Sequence, residues 1–395
     1  MKKLFTLVLT FAALFCSIQA WAQGLTIAGV SVNTSATTTQ TITGSGISGT
    51  VTYNPSSKTL YLKGATINSG TSWGLFNEIA DLKIELYGSN TITSSMDYAT
   101  FYSRENIRIV STEGQTGSLY VKNTASSLSM ATMFFEESKK LYVTAARLDV
   151  TADNGSALYG YNNNGSIIAN YCWLHFKGST NAVRGIKNYY PSSSGIDNTV
   201  LYTNGVSFNS SKYGFVDSSS NLVKEVNCYP ALILNGIAIN ASNTYTFTNG
   251  SDKGIGVTSG TVTYDYSTKT LEFKNATMSC NSGSAIISYL PGLTIKSSTG
   301  ANTITTNGNY IGLDLYRSTS ITGDQTLNVT GTTGIYMNYR WDCPLTINLD
   351  ATFRVTATKY RAIYNSRSTS SPNSDLILKK AGNKSDYFFT ASATD

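Results

Sequence analysis

Residues 48–67, SGTVTYNPSSKTLYLKGATI, return at 259–278 as SGTVTYDYSTKTLEFKNATM, with thirteen of twenty positions identical. The GSNTIT of Gly88–Thr93 recurs as GANTIT at Gly300–Thr305. Upstream of both, Leu25–Thr41 parallels Leu232–Thr248, with Gly29–Val32 answering Gly236–Ile239. A fold for this chain must therefore accept one unit twice in tandem. The division falls near Val226, giving a first unit over 23–226 with an exit segment and a second over 227–395.

A shorter period runs inside each unit. A small residue followed by an apolar or β-branched one opens each cycle: Gly74-Leu75, Ala99-Thr100, Ala131-Thr132, Ala157-Leu158 and Ala182-Val183, then Ala285-Ile286, Gly312-Leu313, Gly334-Ile335 and Ala362-Ile363. The openers cluster near 25 residues apart, and alternating stretches such as Leu82–Leu86, Leu293–Ile295 and Leu345–Leu349 follow them. That length suits one turn of a right-handed parallel β-helix built from two or three short strands. A single turn cannot bury its apolar side, so turns stack around a shared interior of Ile, Leu and Val. The small openers fit tight corners, and Asn tolerates the left-handed turns between strands. Ser, Thr, Asn and Gly carry the polar load, with only 13% of residues charged, and no helical-length stripe of apolar residues occurs after Ala22. The fold expected is all-β, two tandem β-solenoid units. A pair of β-sandwiches is the alternative, since turn signals every 8–12 residues suit that class too, but it leaves the 25-residue cycle unexplained.

Each unit opens on a hairpin. Thr50–Tyr53 and Thr59–Leu62 flank the loop Asn54–Lys58, and the second copy has Asp265–Lys269 there. Such hairpins are expected to cap the first turn, because an open edge invites pairing with another chain. The second unit has four openers against five and no counterpart of the exit segment at 189–195 and 206–229. Its last turn is expected either to lack a cap or to continue in a longer product, truncation being the reading preferred.

The N-terminus reads as a cleaved secretory signal: Lys2-Lys3, an apolar run from Leu4 to Phe15, then Ala20-Trp21-Ala22, with cleavage after Ala22. Phe15 before Cys16 does not suit a lipoprotein signal, and the run is too short to span a membrane. The mature chain carries 27 Lys+Arg against 23 Asp+Glu, net +4, after removal of the two signal lysines. No basic arm or basic aromatic groove appears, which argues against a nucleic-acid partner, and no transmembrane segment remains. Cys172, Cys228, Cys280 and Cys343 match no metal-binding spacing. Cys172 lies in the alternating run Tyr171–Phe176, so a buried thiol is preferred to a bridge.

His175 is the sole histidine, so no His-dependent catalytic or zinc site can recur in both units; its strand position suggests a packed or solvent-satisfied side chain. Asp149 with Asp153, and Asp314 with Asp324, are close in sequence but do not correspond between copies. Glu136-Glu137 beside Lys139-Lys140 reads as a solvated turn. The paired carboxylates of glycoside hydrolysis are thus not indicated by spacing, and no cofactor or metal is implied. The 26 tyrosines are the better lead. Tyr159, Tyr161, Tyr336, Tyr339 and Trp341 fall just after openers and Trp73 stands beside one, so stacked turns would line them along one face. Flat rings with hydroxyl and amide neighbours suit sugars, which offer C–H faces and hydroxyl edges. Tyrosine also fills half-buried β surface without any ligand.

The hairpin pattern Gly49–Tyr53, Lys58–Leu60 and Ala65–Ile67, then Gly88–Thr93 and repeated small-apolar openers, resembles secreted parallel β-helix proteins of anaerobic gut-type bacteria. Members of that group are commonly called carbohydrate-binding-domain-containing. The resemblance covers most of both units and implies the solenoid fold and a polysaccharide or host-glycan partner; it transfers no ligand-contacting residue. The expected function is non-catalytic polysaccharide binding along an elongated face, where repetition adds avidity. The alternatives are a structural or adhesive surface protein and, third, a polysaccharide lyase or hydrolase.

Overall fold

The computed structural model describes residues 24–111, 117–191, 199–201, 205–241, 243–338, 343–366, 375–379 and 385–391. Among them, regular structure is strand throughout apart from a short 3-10 turn at Tyr161–Asn163. Residues 1–22, where a signal is expected, Tyr339 and Trp341 lie outside the described residues.

Each solenoid turn contributes three strands. In the first stack they are Leu75–Asn77, Leu82–Tyr87 and Ser89–Ser94; then Phe101–Ser103, Ile107–Ser111 and Ser118–Asn123; then Ala131–Phe135, Lys140–Thr144 and Arg147–Ala152; then Ser156–Gly160, Gly165–Asn170 and Trp173–Gly178. Val183–Arg184 and Ile186–Tyr190 begin a fifth turn. The second stack repeats the plan from Ile286–Ser288 to Asp386–Ala391. Corresponding strands of successive turns pair in parallel, so each stack has three faces. The protein is a tandem parallel β-solenoid.

Strand periodicity explains the interior. Alternation along Leu82–Tyr87 sends Leu82, Ile84 and Leu86 inward, and register places them over Ile107 and Ile109, then Leu141 and Val143. On the third face Leu119 and Val121 stack on Leu148 and Val150, then on Leu174 and Phe176. Burying each such side chain is worth roughly 1.5–3 kcal/mol, an upper estimate because unfolded chains are partly collapsed. The two apolar interiors part between Cys228 and Ala231.

Register also corrects the openers. Leu75, Phe101, Met133, Leu158 and Val183 align, so the corner residues are Gly74, Thr100, Thr132, Ala157 and Ala182. Ala99 and Ala131 sit one position early. Threonine replaces a smaller residue at two corners because its hydroxyl is satisfied there. The Thr100 hydroxyl lies 2.7 Å from that of Ser94 and donates to the Lys122 carbonyl, and Thr132 donates to the Thr151 carbonyl at 2.9 Å.

The duplicated hairpin begins each stack. Thr59–Asn68 pairs antiparallel with Ile47–Asn54, yet its first half pairs in parallel with Lys83–Tyr87 and its second with Thr91–Thr93. Thr270–Cys280 does the same in the second stack. Gly49 and Gly260 explain part of the sequence identity. Both have positive φ at a bulge, and a Cβ would stand 2.2 Å from the Gly64 carbonyl oxygen and 2.0 Å from that of Asn275. The repeated Gly-x-Asn motif is equally structural. The buried Asn90 amide accepts from Ala65 N–H at 2.9 Å and donates to the Gly88 and Ser118 carbonyls, and Asn302 accepts from Ala276 N–H at 2.7 Å.

The first stack ends under Glu225–Pro230, which pairs antiparallel with Trp173–Gly178 and sends Val226 and Cys228 inward. Leu232–Leu234 follows at once and covers the first face of the next stack, antiparallel to Ile286–Ser288. Among the described residues, Cys172, Cys228, Cys280 and Cys343 are all buried free thiols.

Candidate functional site

On the strands of the first face the residue that follows the aligned inward one points outward. In the first stack register aligns these residues into the row Thr26, Phe76, Tyr102, Phe134, Tyr159 and Arg184. Ring centroids are 5.2 Å apart for Phe76–Tyr102 and for Tyr102–Phe134, and 5.5 Å for Phe134–Tyr159. Those separations follow from the interstrand spacing of about 4.8 Å. Most of the row is itself covered. Phe76, Tyr102 and Phe134 are buried beneath Trp73, Tyr98, Met130 and neighbouring residues, forming a small satellite core. Covered this far, the row is not the continuous open platform that an elongated binding face requires.

The row opens at its N-terminal end into a cleft of about 770 Å³. Trp73, Phe76, Tyr98 and Tyr102 line it with Thr26 and Met96, and Asp97 and Arg104 complete it. Trp73 stacks on Phe76 at 4.8 Å, and its buried Nε1 has no hydrogen-bond partner among the described residues. The Arg104 guanidinium lies 5.5 Å from the Phe76 ring centre and pairs with Glu78 at 2.6 Å. Burial, reinforced by the hydrogen bond that Tyr102 donates to Glu136, pushes the Tyr102 phenol up to about 12. It stays neutral and remains a donor at ordinary pH. At the other end of the row Arg184 sits 3.9 Å from the Tyr159 ring centre and donates to the Met130 carbonyl. Tyr161 is 39% exposed and packs its edge on Phe134.

The equivalent row of the second stack is Ile233, Ile287, Asp314, Tyr336 and Tyr364. Asp314 interrupts it. One of its carboxyl oxygens is buried with no hydrogen-bond partner among the described residues, and burial pushes its pKa up to about 7. Beyond it, Tyr336 and Tyr364 approach to 5.3 Å in a cleft of about 430 Å³ that includes Tyr360 and Arg361. Beside this row a separate stack joins Tyr229, Tyr289 and Tyr316, with centroids 5.8 and 4.3 Å apart.

The structure thus places Trp73 in the first cleft, Tyr336 in the second, and Tyr159 and Tyr161 along the covered row. Phe76, Tyr98, Tyr102, Phe134, Tyr364 and Arg361 were not picked out from sequence. For Phe76, Tyr102, Phe134 and Tyr364 the signal was available, as the residue immediately after the inward apolar residue of the opener strand, but using it required correct register; Tyr98 and Arg361 precede an opener and carried no such signal.

The histidine, Asp149 and Asp153 are engaged structurally. His175 lies between Asp149 and Glu225, with Nδ1 3.0 Å and Nε2 3.1 Å from their oxygens, and Lys177 pairs with Glu225 at 3.1 Å. The hydrogen bond to Asp149, aided by Glu225 and opposed by burial, raises the His175 pKa. This group ties two adjacent turns to the closing strand. Asp153 pairs with Lys122 at 3.0 Å. Among the described residues no cluster of three or more His, Cys, Asp or Glu side chains could hold a metal ion, and no helix is long and apolar enough to cross a membrane.

Searched against protein-family models, curated proteins and solved structures, the chain matches none.

Proposed function

We propose that this protein is an exported saccharide-binding solenoid whose principal site is the aromatic cleft of the first stack. The observation that carries the reading is the floor of four rings, Trp73, Phe76, Tyr98 and Tyr102, in a cleft of about 770 Å³ with charged groups at hand. The volume lies in the ordinary range for ligand pockets. The rings pack against one another, Phe76 and Tyr102 on adjacent strands and Trp73 and Tyr98 on the segments that precede them, so they are already ordered and binding costs little side-chain entropy. Their faces suit the C–H surface of a sugar, while Asp97 and Arg104 suit its hydroxyls. Export is supported by the basic, apolar and small-residue order of residues 1–22.

The test is a glycan array with the full mature chain, accompanied by an assay for released product. Binding without product is expected, and Trp73→Ala should lower affinity at least roughly tenfold while leaving the far-UV spectrum unchanged. A chain that binds no saccharide, or a Trp73→Ala variant that binds as well as the parent, defeats the reading. Unsaturated or new reducing ends would replace it with the lyase or hydrolase alternative.

One observation favours the second reading, an adhesive surface protein. In the last turn Leu376, Leu378 and Phe389 occupy inward register but are 37%, 48% and 39% exposed. Binding to a protein partner and to no glycan would support it.

A further inference from the structure

We propose that the cleft of the second stack is a separate site for a saccharide bearing a ring carboxylate, with Arg361 as the residue that reads the charge. The inference rests on the saccharide reading and adds a second site and a ligand class. Tyr336 and Tyr364 supply the apolar wall, as Phe76 and Tyr102 do in the first stack. The cations differ. Arg104 of the first cleft is already paired with Glu78 at 2.6 Å. Arg361 stacks 4.6 Å from the Tyr364 ring centre, and Lys359 lies 5.0 Å from that of Tyr360; among the described residues neither cation has a carboxylate partner.

Among the described residues no acidic side chain lines this cleft: its other members there are Asn309, Ile311, Thr332 and Thr333. Asp314 precedes Tyr336 in the row, but it is buried and is not a lining residue. The cleft therefore combines a sugar-sized aromatic wall with positive charge that no described residue compensates. Stacking occupies only the face of the guanidinium. Its in-plane N–H donors stay available for a carboxylate, whose two oxygens match that fork. A ring seated on Tyr336 would place its substituent toward Arg361, which is why the charge belongs on the sugar and not on a free anion.

The experiment is calorimetric titration of the full mature chain, in parent and Trp73→Ala forms, with a short galacturonate oligomer, its methyl ester and a neutral galactan oligomer. In the Trp73→Ala form the acid is expected to bind roughly tenfold more tightly than the ester, with affinity falling as salt rises. Arg361→Gln should abolish that preference and its salt dependence, and Arg361→Lys should retain part of it, because a point charge survives while the fork is lost. Tyr364→Ala should weaken acid and ester alike. Arg361 is exposed, so its variants should melt at the parental temperature. Equal affinity for acid and ester, or a preference unchanged by Arg361→Gln, overturns this assignment and leaves the first cleft's reading standing. Failure of all saccharides to bind the parent chain overturns both.

Discussion

On the third face of the first stack, the inward residues of the last turn, Leu174 and Phe176, are 2% and 0% exposed. At the corresponding end of the second stack, Phe389 stands in the same inward register, over Val355, and is 39% exposed. The strands are alike in pattern and pairing; what differs is the antiparallel strand Glu225–Pro230, which covers the first end with Val226 and Cys228. Among the described residues no strand pairs with the outer edge of Asp386–Ala391. An inward-facing residue in a solenoid is buried only by the turn that follows it, so alternation makes a side chain apolar without making it buried. The outer rows differ too. The first is aromatic from Phe76 to Tyr159, and the second is broken by Asp314.

The largest effect tests Phe176, under the closing strand, against Phe389. Phe176→Ala should cost about 3–5 kcal/mol by urea denaturation, because it empties a sealed interior. Phe389→Ala should cost less than about 1 kcal/mol, as a half-solvated ring leaves little cavity. Equal losses would mean the second end is as well covered as the first.

Next comes the interruption in the second row. Asp314 has a folded pKa near 7, above an ordinary value near 4, so the unfolded chain ionises first as pH rises. Its contribution to stability therefore falls between about pH 4 and pH 7 and levels off above that. Asp314→Asn should stabilise the chain by about 2–4 kcal/mol at pH 8 and have little effect at pH 4. A variant no more stable than the parent at pH 8 would show that the hydrogen bond with Tyr316 offsets the burial of the carboxylate.

The smallest effect concerns the closing strand. The His175 pKa is raised in the folded chain, chiefly by Asp149, so the clamp contributes fully below the ordinary histidine value near 6.5. That contribution is lost as pH rises through the raised value. Urea midpoints should therefore drop from pH 6 to pH 8. His175→Gln should remove about 1 kcal/mol of that drop, allowing for the partial exposure of Glu225. An unchanged pH dependence in the variant would assign it to other groups.

Much of the fold was legible in order of residues alone. The repeat at 48–67 and 259–278 marked both hairpins, and the cycle near 25 residues marked the turns, because local alternation and turn chemistry are written along the chain. The openers at 99 and 131 were misplaced by one residue. A bonded threonine at a corner looks no different in sequence from one facing solvent, and its partners Ser94, Lys122 and Thr151 come from other strands. The site was less legible for the same reason. Trp73 and Tyr336 stood out by position, but Tyr98, Tyr102 and Arg361 acquire meaning only when neighbouring turns are stacked.

Sequence by itself thus determined the duplication, the all-β character and the inward residues of each strand, since these depend on periods of two and of about 25 residues. Tertiary structure decided which aromatic rings are covered, which arginine is paired and how the first stack is closed. Those properties depend on register between turns, where a shift of one residue exchanges inside for outside, and on a closing strand that comes from elsewhere in the chain.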